Sequence, residues 1–302
     1  MEQVFEKVNN FMSQDHEARK RKLTIRTYRA VPLGPKAGVI EFVPNTKALI
    51  EIVSPYHQKH DSMKLETARD MMKKAQNEEV SVRLAVFQDI CAKVSPVLRK
   101  YFLHNFRTPD VWFASRIAYT RGIATSSMVG HILGLGDRHC NNILIDGSTG
   151  EPVHIDLALA FDQGRRLPIP ESVPFRLTRD IVDGFGITET RGLFSKACEH
   201  TFQVLRANET RIISILDVLK WDPLYSWSIS PIRMKRLQEA GEQEFNLQPV
   251  QDGSEAATAI LTVTDKISAG GLSASAAVRE LIREATDERN LAVIYCGWCP
   301  FY

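Results

Sequence analysis

The chain lacks any apolar run approaching the ~18 residues of a membrane span, and its first residues carry no signal-peptide h-region. It also lacks a strong charge of either sign. Lys and Arg number 38 against 36 Asp and Glu, a formal net of +2, so no global basic field argues for direct nucleic-acid binding. Cysteines are few, odd in number and scattered at 91, 140, 198, 296 and 299, which argues for a reducing compartment over a disulfide framework. A charged fraction of 25% over 302 residues suits a globular, soluble chain of one or two domains.

The most informative stretch present is Leu133-Gly134-Leu135-Gly136-Asp137-Arg138-His139-Cys140-Asn141-Asn142. Two apolar runs follow, Ile143-Leu144-Ile145 and Val153-His154-Ile155, separated by the turn formers Asp146-Gly147-Ser148-Thr149-Gly150. Paired as antiparallel strands about a centre near Thr149, they set Asn142 opposite Asp156 at the hairpin's open end. An amide and a carboxylate so placed suit Mg²⁺, a hard ion held by few protein ligands plus substrate phosphates. Metal-hydrolase chemistry is the rival for His139, His154 and Asp156, but no i, i+4 His pair on a helix supports it. His154 reads as packing or as support behind the ligands, and His57-x-x-His60 as a solvated loop.

Elsewhere the pattern is ordinary. Val4, Phe5, Val8, Phe11 and Met12 predict an amphipathic helix from Met1 to about Ala18, and Arg19-Lys20-Arg21-Lys22 a solvated turn. Leu23–Tyr28 and Gly38–Val43 read as strands, the second stopped by Pro44. Leu84, Phe87, Ile90, Cys91 and Val94 mark a helix ended by Pro96. A longer helix starts at Thr108-Pro109-Asp110, with Thr as cap, and buries Phe113, Ile117, Ala124, Met128 and Ile132 on its way into the Gly134 loop. Residues Gln238 to Ser254 are polar and read as a linker; helices follow at Ala256–Ile267 and Ala276–Ala285. The last eight residues hold four aromatics, Tyr295, Trp298, Phe301 and Tyr302, an apolar terminus expected to anchor on its own domain. Cys296-Gly297-Trp298-Cys299 has redox spacing without a thioredoxin-like setting.

Asp137 stands five residues before Asn142, the separation of base and metal-binding Asn in the protein-kinase loop, with the triplet inverted to Asp-Arg-His. Together with His154-Ile155-Asp156, Val173–Asp180, Trp112-Phe113, Ala118-Tyr119-Thr120-Arg121 and Asp222-Pro223-Leu224, this resembles the phosphatidylinositol 3-kinase-related protein kinases, specifically their ATM-type branch. The terminus resembles the FATC motif. The resemblance implies an α+β, two-lobed protein-kinase-like fold with a truncated N-lobe, a mainly helical C-lobe and a helical FATC tail. Its segments are 1–43 (partial N-lobe and hinge), 44–233 (C-lobe), 234–270 (regulatory linker and helix) and 271–302 (FATC). Within the C-lobe lie a catalytic loop 134–142, a metal loop 154–158 and an activation loop 156–180.

By the same resemblance, Asp137 orients or deprotonates the attacking hydroxyl, and His139 donates to the γ-phosphate. Asn142 and Asp156 hold Mg²⁺, with Mn²⁺ as an alternative. Glu41, Phe42, Val43, Leu144 and Ile155 line the ATP site, Phe42 beside adenine unless it is a plain core residue. The implied activity is Ser/Thr protein phosphorylation at Ser/Thr-Gln sites in DNA-break signalling and telomere maintenance, in the nucleus and off the membrane. Protein substrates, a break-sensor complex and a homodimer partner are the implied associates. Two departures stand out. Ala158 replaces the usual Gly after Asp-Leu, which restricts the loop. No glycine-rich phosphate loop or Lys precedes Asp137, since Gly34-Pro35-Lys36 lacks the pattern. The chain is therefore expected to be a fragment of a longer kinase; a catalytically incomplete binding module is the alternative. A phosphoinositide kinase is a third reading, but the loop offers only Arg165-Arg166 against Asp162 and Glu171.

Overall fold

The computed structural model describes residues 1–34, 37–218 and 253–302. Lys36, Asp222-Pro223-Leu224 and the linker up to residue 252 lie outside the described residues. Helices α1 (Glu2–Gln14) and α2 (His16–Lys20) open the chain, followed by strands β1 (Ala30–Gly34), β2 (Ala37–Ile40) and β3 (Thr46–Ala48). Five helices lead to the centre: α3 (Leu49–His60), α4 (Leu65–Lys74), α5 (Val80–Lys93), α6 (Leu98–Asn105) and α7 (Pro109–Ile132). Then come β4 (Ile143–Asp146), β5 (Pro152–His154), α8 (Arg179–Asp183), α9 (Leu193–Ala207) and α10 (Glu209–Asp217). The C-terminal part holds α11 (Gly253–Ser268), α12 (Ala274–Thr286) and α13 (Glu288–Ala292). β1 and β2 form an antiparallel hairpin, and β3-β4-β5 a separate antiparallel sheet.

Helix α7 is the axis. Its second half is buried on nearly every side, from Tyr119 to Ile132, as α9 packs along it and β5 crosses it. Gly122 makes that crossing possible: a Cβ there would stand 2.4 Å from Pro152 Cδ. Thr108 occupies the N-cap but gives no side-chain bond; its carbonyl accepts from Trp112 N–H at 2.9 Å. Phe113 is 51% exposed rather than buried, because the first turns project past the core and Arg116 covers the rings of Trp112 and Phe113 instead.

Near the N-terminus the sequence pattern is corrected in three places. The expected single helix breaks at Asp15, whose carboxylate accepts from Ala18 N–H at 2.7 Å and so caps a second helix. Leu23 and Ile25 are buried about an exposed Thr24, as in a strand, but the alternation stops there, since Arg26 and Thr27 are both half-buried and Tyr28 is buried; among the described residues the segment pairs with no strand. The Asn9 amide takes the neighbour's place, donating to Ile25 O at 2.8 Å and accepting from Ile25 N–H at 2.9 Å. Residues 41–43 are not strand either: β2 ends at Ile40, and its residues are exposed.

The largest surprise is His57. The expected solvated loop is the last turn of α3, and His57 is 1% exposed. Its Nδ1 meets Asp61 at 2.6 Å, its Nε2 meets Asp180 at 2.8 Å, and the Tyr302 ring stacks on it at 4.0 Å. Burial opposes its charge, but the two carboxylates outweigh burial and raise its pKa. Asp180 also accepts from Val97 N–H at 2.7 Å. The cluster thus joins α3, the entry to α6, the start of α8 and the final residue.

Removing the imidazolium leaves two carboxylates buried face to face, so His57→Ala is expected to cost about 3 to 5 kcal/mol in urea unfolding. Because the folded pKa is raised, the wild-type contribution is full below about pH 6.5 and is lost as pH climbs through the higher folded value. The variant should lack that alkaline decline. A wild-type stability that is flat across neutral pH would contradict the assignment.

Candidate active site

The loop after α7 is built by backbone pairing with the segment that follows β5. Phe161 N–H donates to Leu133 O at 2.8 Å, Asp162 N–H to Gly134 O at 3.0 Å, and Gly136 N–H to Leu159 O at 2.9 Å. Residues 133–136 and 159–162 therefore run side by side. Ala158 is exposed and its backbone is not left-handed, so this arrangement needs no glycine there.

At the centre lies Arg138, buried. Its Nε donates to Gly136 O at 2.8 Å, one terminal nitrogen to Ile155 O at 2.8 Å, and the other to Asp156 O. One planar guanidinium thus fixes the loop before it and the two residues that close the hairpin. Asn142 donates from Nδ2 to Asp137 O at 2.8 Å and lies 3.4 Å from Asp137 Oδ2, which turns its amide oxygen away from Asp137. Asp137 and Asp156 both have left-handed backbones, φ 59° and 52°, and the Asp156 residue is exposed.

The hairpin forms with its register shifted by one. Ile143 faces His154 and Leu144 faces Val153, so Asn142 stands opposite Ile155, whose N–H donates to Asn142 O at 3.0 Å. Asp156 lies one residue further along. The turn sets this: Asp146 Oδ1 accepts from Ser148 N–H at 2.8 Å and Thr149 N–H at 3.2 Å, and Gly150 turns at φ 79°. The left-handed backbone at Asp156 then swings it back toward the Arg138 side.

His139 Nδ1 accepts from Asn141 N–H at 3.2 Å, which assigns the proton to Nε2, 3.8 Å from Asp137 Oδ1. Burial lowers the His139 pKa against the pull of Asp137, so the ring is neutral at neutral pH with its N–H on the Asp137 side. Burial pushes the His154 pKa down to about 3, and its buried Nδ1 has no hydrogen-bond partner among the described residues. It is packing, not an acid or base.

The residues expected to line the nucleotide are spread along β3 and β4. Leu144 is half-buried on the strand face opposite Ile143 and Ile145, and Ile155 is half-buried beside it. Glu41, Phe42 and Val43 precede β3, whose Thr46 faces Asp146 and whose Ala48 faces Leu144. Glu41 N–H donates to Arg29 O at 2.8 Å, and Val43 O accepts from Thr46 Oγ1 at 2.9 Å. Phe42 is 84% exposed, so it is not the core residue of the simpler reading, and no described element covers it.

Several residues here escaped the sequence. Tyr28 sets its hydroxyl against the Asp156 backbone amide. Arg176 sends its guanidinium to Trp298 O at 2.7 Å, Cys299 O at 2.8 Å, Tyr302 O at 3.0 Å and Cys140 Sγ at 2.9 Å, and lies 4.2 Å over the Trp298 ring. Glu171 accepts the Asp137 N–H. The Val173–Asp180 run drew attention to Arg176 as part of a motif, but nothing in it names carbonyls more than 120 residues away. Asp162, counted as acid in the loop, pairs with Lys266 at 2.6 Å and lies 3.9 Å from Arg165. All five cysteines are free thiols, Cys296 and Cys299 included, and the terminal aromatics Trp298, Phe301 and Tyr302 are buried.

Among the described residues no cluster of three His, Cys, Asp or Glu side chains could hold a metal. Asn142 and Asp156, the ligands expected from the sequence, would supply one amide oxygen and one carboxylate near the open end of the hairpin. That fits Mg²⁺, which keeps water and phosphate oxygens as its remaining ligands, and does not fit a closed Zn²⁺ site. An Asp beside a neutral N–H donor and an oxygen pair for a hard cation is the equipment of phosphoryl transfer.

The family profile described as Phosphatidylinositol 3- and 4-kinase matches residues 1–229, and the FATC domain profile matches residues 271–302. The chain belongs to the phosphatidylinositol 3- and 4-kinase family, and it carries a FATC domain after the kinase region. Within that family it is similar to the Tel1 and ATM type. It is 63% identical over its whole length to "Serine/threonine-protein kinase TEL1" of Debaryomyces hansenii. Two solved structures, "FAT and kinase domain of CtTel1" and "Complete CtTel1 dimer with C2 symmetry", are each 47% identical with a TM-score of 0.92 over the whole chain. The chain spans 10% of the length of the first relative, and 20% and 11% of the two solved chains.

Arg138→Lys keeps the charge but loses the planar fork, and one ammonium cannot serve the carbonyls of Gly136, Ile155 and Asp156 together. A loss of at least about 2 kcal/mol in urea unfolding is expected. A variant as stable as wild type would remove Arg138 as the organiser of the loop.

Proposed function

We propose that this chain is the catalytic region of a longer Ser/Thr protein kinase that transfers the γ-phosphate of ATP to protein hydroxyls. The observation that supports the reading is that Asn142 and His139 stand beside Asp137 while the buried Arg138 between them holds the Gly136, Ile155 and Asp156 carbonyls, in a chain similar to TEL1 kinases throughout. Asp137 orients the acceptor hydroxyl and takes its proton. His139 donates Nε2–H to the terminal phosphate, which requires the neutral tautomer described above. Asn142 and Asp156 hold Mg²⁺, which when bound neutralises charge on the phosphates.

Adenine sits against Glu41, Phe42 and Val43, with Leu144 and Ile155 under the nucleotide. The open end at Asn142 lies four residues along β4 from Thr46's partner Asp146, about 13 Å, a separation that suits a base at one end and phosphates at the other. Among the described residues the Val43 N–H carries no hydrogen bond, which leaves a donor for the base. The apolar hairpin residues Val31, Leu33, Val39 and Ile40 are exposed, as a surface for the rest of an N-lobe would be.

Protein is favoured over lipid as acceptor. The segment offers only Arg165 and Arg166, and Arg165 already lies 3.9 Å from Asp162, so little cationic surface remains for an inositol phosphate. Substrate choice at Ser/Thr-Gln, a nuclear role in DNA-break signalling and telomere maintenance, a break-sensor partner and a homodimer all follow from the Tel1 and ATM likeness. The dimer draws further support from the solved CtTel1 dimer.

Calorimetric titration with ATP tests the site directly. Binding that requires Mg²⁺ is expected, lost in Asp156→Asn with little change in fold, because a ligand charge disappears while the shape stays. Asp137→Asn should bind ATP normally and transfer no phosphate. Full Mg²⁺-dependent binding by a folded Asp156→Asn would sink the metal assignment, and no binding by the folded wild type would favour a binding module.

A further inference from the structure

Asp137 is a catalytic residue whose backbone has no freedom to spare. Its φ of 59° lies in the left-handed region, where a non-glycine residue is held only if its surroundings enforce it, at a cost of order 1 to 3 kcal/mol. The enforcing contact comes from the activation segment, 34 residues on. Both oxygens of Glu171 accept the single Asp137 N–H, at 2.8 and 3.0 Å.

The carboxylate reaches that N–H through a slot made by two glycines. A Cβ on Gly136 would lie 2.9 Å from Glu171 Oε2, and one on Gly164 2.6 Å from the same atom. Neither glycine has a positive φ, so their role here is space and not conformation. The slot is closed by backbone bonds on both sides: Glu171 N–H to Gly164 O at 3.1 Å, and Gly136 N–H to Leu159 O at 2.9 Å. An acid is an expensive group for this place. Glu171 is half-buried as a residue, yet its carboxylate is desolvated enough to be pushed up to about 7, despite the Asp137 amide and the charges of Arg138 and Arg176. A neutral side chain would close the slot at lower cost if filling it were the only requirement.

We propose that Glu171 is a positioning residue for phosphoryl transfer: by holding the Asp137 N–H it fixes the backbone from which the Asp137 carboxylate is aimed. It makes catalytic geometry depend on the placement of the activation segment. The inference rests on the kinase reading above. Glu171 touches neither substrate nor metal in this role; it acts through Asp137.

The test uses the full-length kinase carrying this sequence, with ATP and a protein substrate, and Asp137→Asn as the inactive control. Glu171→Ala is expected to lower kcat roughly 10- to 100-fold, the scale of a small misplacement of a reacting group, with KM for ATP unchanged within about twofold. Glu171→Gln, which keeps one acceptor oxygen in the same shape, should recover most of kcat. Gly164→Ala, whose Cβ takes the place of Oε2, should reproduce the loss in wild type and add nothing to Glu171→Ala. A folded Glu171→Ala with wild-type kcat overturns the proposal. So does additivity of the two substitutions, or a loss in Glu171→Gln as large as in Glu171→Ala. Wild-type protein that transfers no phosphate overturns the kinase reading itself, whereas active wild type with an indifferent Glu171 overturns the positioning role alone.

Discussion

One guanidinium determines whether this site exists. The loop before Arg138 and the strand end after His154 each present carbonyls with no strand or helix to receive them, and Arg138 receives three in one plane. Backbone oxygens buried without donors are costly, so this single side chain is what allows an irregular loop to be buried at the end of α7. It also brings Asp137 and Asp156 to one place while carrying neither reaction nor metal.

A second arginine repeats the device at larger range. Arg176 gathers three carbonyls of the C-terminal residues beneath the Trp298 ring and touches Cys140 of the catalytic loop. His57 does the same for the ring of Tyr302. Loop 134–142, the segment around Arg176 and the tail therefore share one polar interior, and a disturbance in any of them reaches the others through charged hydrogen bonds and not through apolar contact alone.

What the sequence revealed follows the range of the forces involved. The catalytic hairpin was legible because its strands, turn formers and functional residues lie within 24 residues of one another, and α7 because its burial pattern is long. The register was missed by one position, because the turn is fixed by where Asp146 points its carboxylate, which composition does not specify. Leu23–Tyr28 shows the limit of alternation: Leu23 and Ile25 are buried as a period of two requires, but Tyr28 is buried out of step, and the partner of Ile25 is the side chain of Asn9. His57 and Arg176 were illegible as organising residues, since Asp180 for the one and the carbonyls of Trp298, Cys299 and Tyr302 for the other lie more than 120 residues away, and His57-to-Asp61 spacing alone does not distinguish a buried imidazolium from a solvated one.

The clasp around Arg176 sets an order of events during synthesis. Until residues 298–302 have left the ribosome, the three carbonyls that accept from this guanidinium do not exist. Contacts so distant in sequence form late, after the loop-closure entropy of the intervening chain has been overcome. Arg176, although made well before the tail, thus completes its set of partners only when residues 298–302 arrive, and a nascent chain stalled before them would hold a guanidinium without its three carbonyl acceptors.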